Sequence, residues 1–460
     1  MKNLTVNNIA NICDGIIKNP NKEIYTKEAT CVEIDSRKII EGGIFIATKG
    51  ANVDGHTFVN QVIEKGAMAV IVEHEIDDIK IPYIIVKDSF IALKIIARFY
   101  RMQLDIPVIG ITGSVGKTST KEFIYSALSA KYNVCKTQGN FNNEVGLPLT
   151  ILSIRDCHEI AVVEMGISDF GEMSRLAEIS KPDTCVITNI GHCHLENLIN
   201  REGVIRAKTE CFNFMNHNGA VILNGDDDML REVNAPWKRK IQYYGLEKVN
   251  DIYPDELTDN GLYGCDISVS YDDTNINIHI SRPGIHMVYN ALAAVLVAKE
   301  YGLTDEEIIK GIESITTTEG RSNVITVNNK TLIDDCYNAN PTSMKAALHL
   351  LNKAKGRKVA ILGDMFELGK NEAILHHEVG QMVVDEDIDI LIAVGSLSKN
   401  MYDGAIDKGL SLDNVYYYDD LDTCIAKLDD ILKDGDAVLI KASHGMHFEK
   451  IVNYLNSKGK

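Results

Sequence analysis

Short apolar runs alternate with glycine and Asp-Gly steps over the first hundred residues. The runs have the length of strands, and they lie at residues 43–47, 67–72 and 81–86. Glycine and Asp-Gly steps between such runs are typical of turns. This pattern predicts a small α/β domain over residues 1–103.

The apolar pattern changes at the start of the second block. A continuous run over residues 106–112 has the character of a strand that is buried on both faces. From Lys117 the apolar positions follow a helical period and place Phe123, Ala127 and Leu128 on one face. Further strand-length runs and one strongly helical stretch lie at residues 159–163, 184–188 and 286–301. Strands that alternate with helices indicate a parallel sheet with crossover helices.

A third alternation of strands and helices begins near residue 320. Its apolar runs lie at residues 324–326, 331–333, 359–362, 390–394 and 437–440. The pattern predicts a second, smaller Rossmann-like α/β unit. We therefore expect an α/β protein of three domains, which cover residues 1–103, 104–319 and 320–460.

Charge and cysteine usage narrow the class of protein. The chain has 460 residues, a formal net charge of −18 and no concentrated basic stripe. Such a chain repels the backbone of nucleic acid, so we expect it to bind phosphate only locally. Ten cysteines without a C-x-x-C pair indicate reduced thiols. We see no signal-like start and no run of about 20 apolar residues, so we expect a cytoplasmic protein without membrane insertion.

A phosphate-binding loop is the strongest chemical signal. Its residues, between the predicted strand and helix, are Gly113, Ser114, Val115, Gly116, Lys117, Thr118 and Ser119. Glycines let backbone N–H groups surround phosphate oxygens, and the helix start adds its own N–H groups. Lys117 would supply charge to the outer phosphates, and the Thr118 hydroxyl could bind Mg²⁺. Ile111 departs from the strict Walker pattern, which leaves a glycine-rich turn with an unrelated lysine as the alternative.

Polar side chains follow two further strands of the predicted sheet. Glu164 ends one strand, where ligands of open α/β sheets collect, so it is a candidate Mg²⁺ ligand; a solvated glutamate is the alternative. His192 and His194 follow the next strand, but no second pair of ligands nearby completes a zinc site. One of them is therefore expected at the magnesium site. Lys208, on a predicted helix, is by itself an ordinary surface lysine.

Candidate nucleotide contacts lie on both sides of the second boundary. His286 and Asn290 are four residues apart on a predicted helix, so they share a face that can contact an adenine. Arg321 stands at the boundary, where it can reach a γ-phosphate when the domains close. Ordinary helix-end and surface residues are the alternatives. The polar stretches 334–341 and 363–369 directly follow strands and are placed to line a cleft.

These motifs resemble those of the Mur ligases of peptidoglycan synthesis, and the likeness extends along essentially the whole chain. Residues 112–118 have the family form T-G-[ST]-x-G-K-T, which accounts for Ile111. Residues 137–146 look like the Asn-rich segment of the family, and residues 164–166 look like its metal-binding glutamate motif. Residues 188–194 resemble its T-N-I-G-x-x-H segment.

The resemblance implies an ATP-dependent ligase that uses Mg²⁺, with two ions expected. Its catalytic residues would be Lys117, Lys208, His194 and Arg321. The match selects His194 over His192, and it makes Lys208 a carbamylated lysine that helps to hold the second ion. The implied metal ligands are Thr118, Glu164, His194 and Lys208, and the implied ATP-binding residues outside the loop are His286, Asn290, Arg321 and Asp335.

Other segments select, within the family, a ligase that adds D-alanyl-D-alanine to UDP-N-acetylmuramoyl-tripeptide. Residues 335–341 and 363–369 look like signatures of that activity, and the D-N-P-R-type motif of the lysine- or diaminopimelate-adding ligase is absent. The first block matches a uridine-nucleotide domain and lacks the glycine-rich Rossmann turn of the muramate-first ligases. The implied substrate-binding residues are Ser36, Arg37, Asp54, His56, Asn140, Asn142, Asn143, Asn338 and Asn340.

Two positions depart from the family pattern. His444 stands where the family has an arginine, and Cys193 replaces a small residue. The implied reaction uses ATP to convert a carboxylate to an acyl phosphate, which the amine then attacks. The rival interpretations are an amide ligase with a different acceptor and a non-catalytic nucleotide-binding homologue. We expect a monomer that binds small-molecule substrates.

Overall fold

The computed structural model describes residues 1–50, 53–235, 239–271, 274–316 and 320–458. The protein has a three-domain α/β architecture, and each domain is built on its own sheet of mainly parallel strands. The predicted boundary at residue 319 lies outside the described residues. None of the described helices has both the length and the apolar composition needed to cross a membrane.

The first domain contains a mixed sheet with the strand order β1-β5-β4-β3-β2. Its strands are β1 Ile16–Lys18, β2 Val32–Glu33, β3 Ile44–Ile46, β4 Ala69–Val72 and β5 Tyr83–Ile85. Its helices are α1 Val6–Ile12, α2 Lys22–Tyr25, α3 Val59–Glu64 and α4 Ser89–Arg101. Strand β1 is antiparallel to β5, whereas the other neighbours are parallel.

The central domain contains a parallel sheet with the order β11-β10-β9-β6-β8-β7. Its strands are β6 Val108–Thr112, β7 Val134–Lys136, β8 Ile160–Glu164, β9 Thr184–Ile187, β10 Ala220–Asn224 and β11 Ile241–Tyr244. Its helices are α5 Lys117–Ser129, α6 Gly146–Leu152, α7 Glu172–Ser180, α8 Leu195–Leu198, α9 Arg201–Thr209, α10 Asp228–Arg231, α11 His286–Glu300 and α12 Asp305–Glu313. A separate antiparallel sheet in this domain consists of β12 Pro254–Asp259, β13 Cys265–Tyr271 and β14 Thr274–Ile280.

The third domain contains a sheet with the order β15-β16-β20-β17-β18-β19. Its strands are β15 Asn323–Val327, β16 Lys330–Asp334, β17 Lys358–Gly363, β18 Ile390–Val394, β19 Val415–Tyr418 and β20 Ala437–Lys441. Its helices are α13 Pro341–Asn352, α14 Glu372–Asp385, α15 Lys399–Asp407, α16 Leu421–Ile431 and α17 Glu449–Ser457. Strands β15 and β16 form an antiparallel pair, and the other neighbours are parallel.

Burial explains why the apolar runs of the central domain form strands. Every residue of β6 and of β8 is buried, because helices cover both faces of the sheet. Helix α11 is buried over most of its circumference and packs against α5, so it lacks the polar stripe of a surface helix. The packing brings the start of α11 beside the start of α5.

The first and central domains share one hydrophobic cluster. Helix α4 packs against α6 and α7 of the central domain. The Tyr100 hydroxyl donates to the Ile154 carbonyl at 2.8 Å, and Arg101 Nε donates to the Ser180 carbonyl at 2.8 Å. Helix α4 therefore belongs to the first domain in sequence and to the core of the central domain in packing.

Candidate active site

The phosphate loop joins the end of β6 to the start of α5. Gly113 has φ +148° and Gly116 has φ +85°, conformations that favour glycine. A Cβ atom at Gly113 would lie 1.9 Å from Thr188 Oγ1. Glycine is therefore required at position 113 by both backbone conformation and space.

The segment after β9 holds this loop in place. Asn189 Oδ1 accepts a hydrogen bond from Val115 N at 2.9 Å, and Asn189 O accepts one from Ser114 N at 3.0 Å. The Thr188 hydroxyl donates to Val115 O at 2.5 Å. Gly191 N donates to Ser114 Oγ at 2.8 Å. The T-N-I-G segment therefore shapes the phosphate loop, a function that the sequence interpretation did not assign to it.

The Lys117 ammonium lies over the loop. Its Nζ donates to the Gly113 carbonyl at 2.8 Å and to the Ser114 carbonyl at 3.4 Å. These acceptors are neutral carbonyl groups, and anionic phosphate oxygens can replace them. Lys117 is thus held where a lysine of a phosphate loop contacts the outer phosphates.

Glu164 ends β8 beside the loop and is 2% exposed. Its Oε1 accepts hydrogen bonds from Asn142 Nδ2 at 2.8 Å and from Thr118 Oγ1 at 3.3 Å. Within the described residues its Oε2 is buried without a hydrogen-bond partner. A buried anionic oxygen without a partner, close to a hydroxyl, suits a hard divalent cation such as Mg²⁺.

Lys121 is a buried residue of this site that the sequence interpretation missed. It is 1% exposed, and its Nζ lies 3.7 Å from Glu164 Oε2 and 3.2 Å from Glu122 Oε1. The available signal was its spacing, because Lys121 lies one helical turn after Lys117 and therefore shares its face of α5.

Lys208 lies on α9 and is 1% exposed. Burial first, and then the nearby Lys117 ammonium, lowers the pKa of Lys208 to about 8. Lys208 is therefore a buried residue, and its interpretation as an ordinary surface lysine is wrong. At pH 7 a pKa of about 8 leaves a minority of the side chain as the neutral, nucleophilic amine, a far larger fraction than in an ordinary lysine.

His194 lies at the boundary between the central and third domains. It has φ +50° just before α8, and its Nδ1 is 2.7 Å from Glu367 Oε2. The contact with His194 lowers the pKa of Glu367. His192 is exposed. The described part of the chain contains no group of three or more His, Cys, Asp or Glu side chains placed to hold a metal ion.

Arg321 already reaches the phosphate loop. Its Nη2 donates to Thr118 Oγ1 at 3.3 Å, and its guanidinium carbon lies 3.8 Å from the centre of the Tyr337 ring. This conformation already contains a contact between Arg321 and the loop, and the movement of Arg321 on domain closure stays a prediction. His444 contacts the same tyrosine, with 5.2 Å between the ring centres.

The two predicted adenine residues have different surroundings. Asn290 Oδ1 accepts a hydrogen bond from Thr120 Oγ1 at 2.8 Å, so this amide braces α11 against α5. His286 lines a cavity of about 270 Å³ together with Thr342 and Lys345 of the third domain. Burial lowers the pKa of His286, which favours the neutral imidazole.

The polar groups after β16 are largely committed to each other. Asp335 forms an ion pair with Lys441 at the end of β20, and its Oδ1 accepts a hydrogen bond from Ser322 N at 3.0 Å. The side chain of Asn340 caps α13 by accepting from Ser343 N at 2.9 Å. Asn338 is exposed. Asn338 also has partners, because its Oδ1 accepts from Ala339 N at 2.9 Å and its carbonyl accepts from Lys441 Nζ at 2.9 Å.

The asparagines after β7 also differ in their contacts. Asn142 binds Glu164, as described above, and Asn140 is exposed on a turn. Asn143 Oδ1 accepts hydrogen bonds from Gly146 N at 2.8 Å and from Val145 N at 3.1 Å. The structure thus brings only Asn142 of the three into contact with the candidate metal ligand, while Asn143 holds the start of α6.

Two of the first-domain candidates form a local pair. Asp54 Oδ1 contacts His56 Nδ1 at 2.7 Å, and His56 Nε2 accepts a hydrogen bond from Glu73 N at 3.0 Å. Both ring nitrogens of His56 therefore have partners, and the ring connects its own turn to Glu73, the residue directly after β4.

The other two first-domain candidates, Ser36 and Arg37, lie in one turn. Ser36 is buried, whereas the Arg37 side chain is 84% exposed and binds both carboxylate oxygens of Asp35. The Arg37 hydrogen bonds lower the pKa of Asp35 to about 2. Arg37 is therefore free to meet a ligand from solvent with a guanidinium that is already oriented by a carboxylate.

Comparisons with known proteins agree along the whole chain. Three sequence families match consecutive parts: "Mur ligase family, catalytic domain" at residues 28–108, "Mur ligase middle domain" at 111–298, and "Mur ligase, glutamate ligase domain" at 320–444. The UDP-N-acetylmuramoyl-tripeptide–D-alanyl-D-alanine ligase of Bacillus subtilis (strain 168) is 37% identical, over 98% of both chains.

Solved structures agree as well. A crystal structure of MurF from Acinetobacter baumannii is 31% identical and has a TM-score of 0.89 over 98% of both chains. The MurF ligase of Thermotoga maritima in complex with ADP is 29% identical, with a TM-score of 0.81. That match covers 93% of this chain and 97% of the other.

Proposed function

The chain belongs to the Mur ligase family, and we propose that it joins D-alanyl-D-alanine to UDP-N-acetylmuramoyl-tripeptide at the expense of ATP. Relatives that are named for this reaction match the chain over nearly their full length. The structural observation that carries the proposal is the free, buried Oε2 of Glu164 beside the phosphate loop. It supplies an anionic ligand where a nucleotide-bound metal ion is needed.

The proposed chemistry begins with the carboxylate of the tripeptide. A carboxylate and an amine do not condense in water at neutral pH, and transfer of the γ-phosphoryl group of ATP activates the carboxylate as an acyl phosphate. The Lys117 ammonium leaves its loop carbonyls for the phosphate oxygens, and Arg321 binds the transferred group from the third domain. The amine of D-alanyl-D-alanine then attacks the acyl carbon, and phosphate leaves.

We assign two Mg²⁺ sites to the residues around the loop. Thr118 and Glu164 would hold one ion, and a carbamylated Lys208 with Glu164 and His194 would hold the other. Bound Mg²⁺ neutralises phosphate charge. The Nδ1 of His194 is 2.7 Å from Glu367 Oε2, so its Nε2 would be the nitrogen that binds the ion.

The carbamate on Lys208 is supported by its surroundings. Its lowered pKa, about 8, leaves neutral amine available at neutral pH. That amine adds to carbon dioxide through a new N–C bond and loses one proton, which turns a buried cation into an anionic oxygen ligand. An anionic oxygen ligand suits Mg²⁺, whereas an ammonium repels it.

The three domains are proposed to divide the substrates. Residues 1–103 would bind the uridine nucleotide with Ser36, Arg37, Asp54 and His56, and residues 104–319 would bind ATP. Residues 320–460 would present D-alanyl-D-alanine near Asn338 and Asn340. We also propose that the enzyme is a monomer and acts in the cytoplasm.

Release of ADP tests this function. We expect ADP release from ATP and Mg²⁺ to require both UDP-N-acetylmuramoyl-tripeptide and D-alanyl-D-alanine, with L-alanyl-L-alanine as the matched control. ADP release with the tripeptide and a different acceptor would point to the rival ligase. If the chain binds ADP but releases no ADP from ATP with any acceptor, the result would point to the non-catalytic homologue.

A further inference from the structure

Four charged side chains form a continuous row beside the phosphate loop. Lys136 pairs with Glu122, the Lys121 Nζ lies 3.2 Å from Glu122 Oε1, and it lies 3.7 Å from Glu164 Oε2. The row alternates in sign and is formally neutral. Its inner end is Glu164, the residue with a free carboxylate oxygen.

The inner pair of this row is fully removed from solvent. Lys121 is 1% exposed and Glu164 is 2% exposed. A buried charge is costly unless another charge or a hydrogen bond compensates it. At 3.7 Å the Lys121 ammonium compensates Glu164 electrostatically without a hydrogen bond to Oε2. The Oε2 atom therefore has a balancing charge nearby but no hydrogen bond.

We infer that Lys121 is an internal counter-ion of Glu164 that keeps a divalent cation off this oxygen until a nucleotide is bound. This inference rests on the proposed role of Glu164 as a metal ligand. A divalent ion on Oε2 would lie close to the Lys121 ammonium, and two like charges at that separation repel strongly in a buried site. Without a nucleotide, Glu164 offers one negative charge that Lys121 already balances.

A nucleotide changes the balance because its phosphates bring several negative charges to the loop. Those charges attract the metal ion independently of Glu164. The Lys121 ammonium then keeps Glu122, its closer partner at 3.2 Å, as its counter-ion. Lys121 thereby makes metal binding depend on the nucleotide. It acts through Glu164 and is a positioning residue for the metal site.

Binding of Mn²⁺ alone to the full chain, followed by electron paramagnetic resonance, tests this role. Mn²⁺ prefers the same oxygen ligands as Mg²⁺. We expect Lys121→Met to bind Mn²⁺ without nucleotide about tenfold more tightly than the parent, because the repelling charge is removed. Lys121→Arg, which keeps the charge, should behave like the parent. The double variant Lys121→Met/Glu164→Gln should lose this gain in Mn²⁺ affinity. Its remaining Mn²⁺ binding measures the contribution of other acidic sites.

Glu122→Gln gives a second test that leaves Lys121 in place. Without its alternative partner, the Lys121 ammonium stays with Glu164, so Mn²⁺ should bind at least about threefold more weakly at saturating ADP. If Lys121→Met does not fold, as judged by its circular dichroism and Tm, this variant decides the matter. Unchanged or tighter Mn²⁺ binding by Glu122→Gln would then overturn the inference.

Two outcomes separate this inference from the proposed function. If the folded Lys121→Met variant binds Mn²⁺ alone no more tightly than the parent, while the parent binds Mn²⁺ with ADP through Glu164, only the counter-ion role fails. If the parent shows no Glu164-dependent Mn²⁺ binding even with ADP, the metal role of Glu164 and the inference both fail.

Discussion

At the scale of single residues, the site depends on how α5 packs against β8. That packing buries the Glu164 Oε2 atom without a hydrogen-bond partner among the described residues, and it buries Lys121 beside this atom. The Lys117 ammonium lies at the start of α5, over the phosphate loop. The conformation of that loop depends on its glycines.

Gly113 gives the first prediction at this scale. We expect Gly113→Ala to lower ADP affinity at least about tenfold, because its Cβ would collide with Thr188 Oγ1 and its φ is +148°. Gly191→Ala is the matched control, since a Cβ there meets its nearest atom at 3.5 Å. Calorimetric titration with ADP measures both. Parent-like affinity of Gly113→Ala would show that the loop tolerates the change.

Lys208 gives a prediction about pH and stability. Its folded pKa of about 8 lies below its ordinary value of 10.5, so the unfolded chain holds more protons between these values. The free energy of unfolding should therefore rise with pH across this window, and below it the buried ammonium costs about 3 kcal/mol.

The variant Lys208→Met checks that cost. In CO₂-free buffer at pH 7 it should unfold at higher urea concentration than the parent, and the difference should shrink as the pH rises from 8 to 10.5. The buried ammonium is absent from the variant, so its stability should not rise with pH for this reason. A variant that is less stable than the parent at pH 7 would contradict this account.

At the scale of secondary structure, the strongest sequence patterns were reliable. The helix expected from Lys117 is α5, and the helix expected at residues 286–301 is α11. The strand expected from residue 106 begins at Val108, because the preceding proline cannot donate to the ladder.

Some elements were missed by the sequence interpretation. Strands β13 and β14 alternate apolar and polar residues, a signal of half-buried strands that the interpretation did not use. Strand β12 is mostly polar and β19 is rich in tyrosine, so neither shows the aliphatic run that was sought. Asn340, which was expected to bind substrate, is the N-cap of helix α13. A cap and a substrate ligand use the same amide, and the sequence does not distinguish them.

Asn340 allows a test that separates these roles. We expect Asn340→Ala to lower the free energy of unfolding by about 1 kcal/mol, and Asn340→Ser to stay near the parent because serine also caps helices. Urea unfolding measures the stability, and the KM for D-alanyl-D-alanine of Asn340→Ser reports any additional substrate contact. Equal destabilisation by both substitutions would exclude the capping role.

At the scale of the whole molecule, the site lies where the central and third domains meet. Arg321 contacts Thr118 of the phosphate loop, and Glu367 contacts His194. The three-domain α/β class followed from the alternation of strands and helices. The shared core between α4 and the central domain did not, because each helix shows only which face is apolar and not what covers it.

The central claim is that the phosphate loop transfers the terminal phosphoryl group of ATP to the carboxylate of the tripeptide. Tripeptide labelled with ¹⁸O in that carboxylate tests it most directly, with the released phosphate analysed by mass spectrometry. We predict that one ¹⁸O atom appears in the inorganic phosphate for each amide bond formed. Amide formation with unlabelled phosphate would contradict the acyl-phosphate mechanism.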